Sequence, residues 1–192
     1  ISLMRWLLLS GIWLLRRSAG FLIAFGTLGL VALGVFRETG QNFAPQFFAL
    51  AGLCVLVVVR LFERIRVKPD GDDAPWYRDL ELGTLFIAGA YALIEISGGA
   101  TGLVYPIIYA IVAFLVAFHS RRESAYFLGI IVLVEAATVL GGAGPDGVRW
   151  EHWRLLFSHL SFIGLFAFLF ALFLRGEVVQ QRQQMRTEID SH

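Results

Sequence analysis

Residues 79–119 read DLELGTLFIAGAYALIEISGGATGLVYPIIYAIVAFLVAFH. The pattern is two apolar helices joined by a polar hairpin, Ser97-Gly98-Gly99-Ala100-Thr101-Gly102. The first predicted helix, 79–96, carries Glu95 almost at its end. The second, 103–118, opens with Tyr105, Pro106 and Tyr109. The hairpin contains no Lys, Arg, Asp or Glu. A charge-free, glycine-rich turn between two spans of about 16 to 20 residues reads as a short loop on the translocated side of a membrane.

Composition agrees with a lipid solvent. The 192 residues are 57% hydrophobic, with a mean hydropathy of +0.70, against roughly 45–50% apolar in a soluble domain. Six spans of about 20 residues each account for most of the chain. No stretch is long enough for a separate soluble domain. A net charge of +1 gives no case for a nucleic acid partner. Cys54 is the single cysteine, so an intramolecular disulfide is excluded, and its apolar span suits an inert thiol. The sequence opens on Ile1 rather than Met, so a longer natural chain is expected at one or both ends.

The remaining spans fall on either side of the hairpin. Residues 1–17 hold a short apolar run, Trp6–Leu15, with Trp6 and Trp13 two helical turns apart. This run is too short to span and predicts an interfacial amphipathic helix. A secretory signal is the alternative, but Arg16-Arg17 follows the run and no small-residue cleavage site appears. Spans are expected at about 18–36, 43–62, 79–96, 103–118, 124–140 and 153–174. The fold class is therefore all-α: a polytopic membrane protein of six transmembrane helices with an N-terminal interfacial helix. A polar C-terminal helix, 175–192, continues the last span into the cytoplasm. Between spans two and three, Pro69, Pro75 and a Gly-Asp cluster break any helix. In the tail, Val178, Met185 and Ile189 follow a partial heptad spacing with Leu174, a candidate coiled-coil seam; a simple solvated helix end is the other reading.

An even number of spans puts both termini on one side. Of the 16 Lys and Arg, only Arg37, Arg149 and Arg154 then fall on the opposite side. The positive-inside rule places both termini in the cytoplasm. The five tryptophans all lie near predicted span ends, as an aromatic belt requires.

Ionisable groups inside spans are costly unless paired, so each marks a candidate site. Glu95, Glu135 and His159 all fall in the outer half under this topology, with Tyr105 and Tyr109 at similar depth on the first turns of span four. Together they are a candidate pocket for a proton, a cation or a small polar ligand. Interhelical hydrogen bonds between such groups also serve as packing glue, so structural pairing stays open beside sensing. Metal binding is not expected. His152 and His159 stand about 10 Å apart along one helix, far more than two zinc bonds of about 2.1 Å span easily. No Walker A lysine, H-E-x-x-H or G-x-S-x-G occurs. The chain is expected to carry no catalytic residues and to need no cofactor.

Asp79-Leu-Glu-Leu-Gly83, Glu95-Ile-Ser-Gly-Gly99 and Leu103-Val-Tyr-Pro106 resemble a recurring bacterial module. It is similar to the six-helix N-terminal membrane region of sensor histidine kinases, including type IV pilus sensor kinases. Comparable regions precede diguanylate cyclase and related output domains. In that family a Gly-Gly hairpin is often followed by Ser-Pro; here Ala100-Thr101-Gly102 intervenes and the proline is displaced to Pro106. The hairpin glycines are Gly98, Gly99 and Gly102. The tail, with Gln180-Gln-Arg-Gln-Gln-Met185, resembles the family's signalling helix. The resemblance implies a homodimeric sensory input module of a two-component or cyclase-type signal-transduction protein, joined through its last helix to an output domain outside this sequence. The partners expected are the lipid bilayer and a second copy. Two alternatives stand beside it: a non-catalytic accessory subunit with a heteromeric membrane partner, and a small transporter or channel.

Overall fold

The computed structural model describes residues 18–36, 44–66, 77–141 and 147–190. The interfacial helix expected over 1–17 lies outside these residues. Among the described residues the structure is all-helical: six α-helices, one 3-10 turn and no strand. The chain divides into two compact units, residues 1–99 and 100–192.

The first unit holds α1 (Ser18–Ala32), α2 (Ala44–Arg66) and α3 (Tyr77–Ile96). On α1 the buried positions Gly20, Ala24, Leu28 and Val31 recur at helical spacing and form one stripe. The helix ends in a Schellman-type cap. Gly34 adopts φ +72, its N–H donates to Val31 O, and Val35 N–H donates to Leu30 O. A left-handed residue there favours glycine, which has no Cβ to clash. Gln46 Nε2 donates to Val35 O at 3.3 Å and ties the start of α2 to this turn. On α2 only Gln46 and Leu53 are buried among the residues with described side chains, while Phe47, Phe48, Val55, Val58, Val59 and Phe62 are exposed. α3 is the converse: Leu80, Glu81, Thr84, Leu85, Ile87, Ala88, Tyr91, Ile94 and Glu95 are buried, so residues on every side of the helix are covered. A helix apolar over most of its surface belongs inside a bundle. Gly89 is where α2 and α3 touch, since a Cβ there would stand 2.9 Å from Leu53 Cδ2.

Gly98 and Gly99, at φ 110 and φ 67, end α3, and a 3-10 turn over Gly99–Thr101 follows. In the second unit α4 runs Ile107–Phe118, α5 Arg121–Gly141 and α6 Trp150–Asp190. Residues 103–106, expected as helix, instead form a tight turn. Tyr105 N–H donates to Gly102 O at 3.1 Å and Ile107 N–H to Val104 O at 3.0 Å. Pro106 has no N–H to give, and takes the N-cap position at φ −58. Tyr105 therefore precedes α4 rather than lying on its first turn. The start of α5 carries a reciprocal capping box: Ser120 N–H donates to Glu123 Oε2 at 2.8 Å, and Glu123 N–H donates to Ser120 Oγ at 3.4 Å. On α6 the buried residues Leu156, His159, Ile163 and Ala167 make one narrow stripe. That stripe packs against both α4 and α5.

Two helical segments are long and apolar enough to cross a membrane, Arg121–Gly141 and Trp150–Phe173. The core helix of a soluble protein also meets that test, but only 22% of an 18-residue apolar stretch within Trp150–Phe173 is buried. Phe157, Phe162, Leu165, Phe168, Leu172 and Phe173 are exposed. Apolar side chains exposed in such a row call for lipid or a partner as cover. The apolar parts of α1, α2 and α4 are shorter, and α3 carries Arg78, Asp79, Glu81 and Glu95.

Candidate functional site

In the second unit, three segments distant in sequence deliver polar groups to one point. Glu135 lies on the buried face of α5 and is 1% exposed. Tyr105, from the turn before α4, donates its O–H to Glu135 Oε1 at 2.6 Å. His159 Nδ1, from α6, stands 2.5 Å from the same oxygen. Tyr105 and His159 are 6% and 8% exposed. Their rings face each other, centroids 4.4 Å apart at 31°.

Local sequence explains the convergence. The Gly102-to-Pro106 turn holds Tyr105 outside the regular helix, so its ring is not bound to the α4 register. Glu135 belongs to the α5 stripe of Phe127, Ile131, Val134 and Thr138, which faces the bundle. His159 belongs to the single buried stripe of α6. Burial of a polar group without a partner costs several kcal/mol, and a carboxylate costs more. Two donors meeting one carboxylate oxygen offset that cost.

Tyr109 extends the cluster through rings. Its ring stands edge-on to Tyr105 at 5.8 Å and stacks on Phe166 at 5.1 Å. Glu95 lies in the first unit, buried on the last turn of α3. Of the hairpin glycines, Gly98 and Gly99 take positive φ, and Gly102 O accepts the Tyr105 N–H. Val178, Met185 and Ile189 all fall within the unbroken α6. Among the described residues no group of three or more His, Cys, Asp or Glu side chains is placed to hold a metal ion.

A second charged site, in the first unit, was not picked out from sequence. Glu81, on the first turns of α3, is 5% exposed. Arg60 Nη2 of α2 stands 3.4 Å from its Oε1. The same carboxylate lies directly over Gly20 of α1, where a Cβ would meet Oε1 at 1.8 Å. In sequence, Arg60 counted only as a cation near a span end and Glu81 only as part of a motif. The one available signal was a glycine on the same helical stripe as Ala24 and Leu28.

Comparisons with protein-family models, with curated proteins and with solved structures returned no match to this chain.

Proposed function

We propose that this chain is the membrane-embedded sensory input module of a bacterial signal-transduction protein. In this proposal it spans the inner membrane six times with both termini in the cytoplasm. It pairs with a second copy through α6, and passes a signal from the outer half of the bilayer to a cytoplasmic output domain.

One observation carries the proposal. α6 is 41 residues long, about 62 Å at 1.5 Å per residue, roughly twice the hydrocarbon thickness of about 30 Å. Its first part is the apolar segment Trp150–Phe173. After Leu174 comes the polar RGEVVQQRQQMRTEID, without an intervening break. The helix that holds His159 against Glu135 is thus the helix that leaves the bilayer. A rigid element joining a buried polar cluster to a solvated end is a suitable carrier for a small shift or rotation.

Cysteine cross-linking tests this. Cys54 is exposed on α2 and is first replaced by alanine. Single cysteines are then placed at Val178, Met185 and Ile189, with controls at Gln180 and Gln183, in the protein in native membranes. Preferential dimer cross-linking at the three seam positions, altered when Glu135→Gln is added, is the expected result. Equal cross-linking at all five positions, or none, defeats the input-module proposal. A heteromeric partner that covers the exposed Phe47 and Phe48 flank of α2 and excludes the dimer would favour an accessory subunit.

A further inference from the structure

We propose that the Tyr105–Glu135–His159 cluster is a proton-binding site that exchanges a single proton with the outer side of the membrane. Its signalling consequence rests on the input-module proposal; the binding of the proton does not.

The geometry selects the ligand. Tyr105 Oη and His159 Nδ1 both approach Glu135 Oε1, at 2.6 and 2.5 Å. Donors aimed at this oxygen present their positive ends to it, so a metal or organic cation at Oε1 would have to displace both. An anion would meet the carboxylate itself. A proton needs no displacement, because two ionisable groups are already in hydrogen-bond contact.

The charge states follow directly. With the proton bound, the pair is imidazolium with carboxylate, or imidazole with carboxylic acid; both are neutral overall. With the proton gone, imidazole and carboxylate together carry one negative charge. In the ionised forms Nδ1–H and the Tyr105 O–H both donate to Oε1, so the change falls on the other ring nitrogen, Nε2. The Tyr105 ring lies against the imidazole, 4.4 Å between centroids. An imidazolium gains a cation–π attraction there that a neutral ring lacks. Proton binding therefore strengthens two contacts of α6 at once, to Glu135 on α5 and to the Tyr105 turn.

Along α4, α5 and α6 the other charged groups lie away from the pair. α4 carries no Asp, Glu, Lys, Arg or His; its titratable residue is Tyr109, edge-on to Tyr105. On α5 the other charged residues are Arg121, Arg122 and Glu123. They sit at the opposite end of the helix, about 18 Å from Glu135. On α6 the nearest is Arg154, exposed and about 140° around the helix from His159. Glu135 is about 9 Å along α5 from its end at Gly141. In the proposed topology that end is outermost, which sets the side from which the proton arrives.

Infrared difference spectra between about pH 5 and about pH 8, the range in which imidazole changes charge, test the inference on the full chain in lipid nanodiscs. The expected wild-type spectrum contains imidazole and carboxyl bands that change together. His159→Gln removes the imidazole part. Glu135→Gln, which keeps size and the acceptor oxygen, removes the carboxyl part and alters the imidazole part. Wild-type spectra unchanged by either variant would overturn the proton site. Should His159→Gln fail to fold, Glu135→Gln alone still decides. Seam cross-linking at the same two pH values separates the two ideas. Spectra that respond while cross-links do not leave the proton site standing and remove its signalling consequence. Cross-links that respond while His159→Gln and Glu135→Gln leave the spectra unchanged remove the proton site and leave the input-module proposal standing.

Discussion

Replacing Gly20 with alanine is expected to destabilise the protein, although alanine is the better helix former by about 1 kcal/mol. The added methyl would stand 1.8 Å from Glu81 Oε1, 2.5 Å from its Cδ and 2.6 Å from its Cγ. Three atoms of one side chain are in the way, so rotating the carboxylate tip alone does not clear it. Either α1 retreats from α3, or Glu81 swings off its position beside Arg60 Nη2, 3.4 Å away. Overpacking of this kind costs about 1–3 kcal/mol. Moving a buried carboxylate off its partner adds to that, because the charge stays inside without full compensation. The net expectation is a loss of about 1–3 kcal/mol, after the helix-propensity gain is subtracted. The control is Glu81→Ala. With the side chain cut back to Cβ the three atoms that crowd the methyl are gone, and Gly20→Ala should turn neutral or stabilising by up to about 1 kcal/mol. Unfolding in detergent micelles, followed by circular dichroism for all four members of the cycle, gives the coupling. A coupling of about 2 kcal/mol is expected. If Gly20→Ala has the same effect in both backgrounds, within about 0.3–0.5 kcal/mol, the seat of Glu81 on Gly20 is refuted.

His159→Leu leaves Glu135 buried with one donor fewer and should cost about 3–5 kcal/mol, while the double replacement with Glu135→Leu should cost clearly less; unfolding of the three variants checks the order. Gly89→Val pushes a branched side chain into Leu53, whose Cδ2 is 2.9 Å from the Cβ position. A loss of about 1–3 kcal/mol is expected, partly recovered when Leu53→Ala is added, again read by unfolding. Ser120→Ala and Glu123→Ala should each cost about 0.5–2 kcal/mol at the start of α5, and less than the sum together, because the two bonds form one reciprocal cap.

Helical class was readable from residue order alone, because apolar runs of that length without strand-like alternation leave few other choices. The capping box before α5 was not picked out from the sequence, although its two residues are three apart and act on their own backbone. Glu135 and His159 stood out as ionisable residues in apolar helices. The sequence could not say that Tyr105 joins them from outside α4. Helical periodicity carried the span back to Leu103, whereas Pro106 and the Gly102 turn end it at Ile107. Nor could it show how α3 accommodates its four charged residues, of which Glu81 and Glu95 are buried.

What residue order determined on its own was therefore local: helix type, the glycine turn at Gly98–Gly99, and which titratable groups fall within apolar helices. These depend on groups a few residues apart. Which groups meet was decided only by tertiary packing. Tyr105, Glu135 and His159 are 30 and 24 residues apart in successive pairs. Arg60, Glu81 and Gly20 come from three different helices. A helix's own sequence gives the direction in which a side chain leaves its axis. It does not give the rotation of one helix against the next, and that rotation brings two donors to one oxygen of Glu135 and sets the Glu81 carboxylate over a residue with no Cβ.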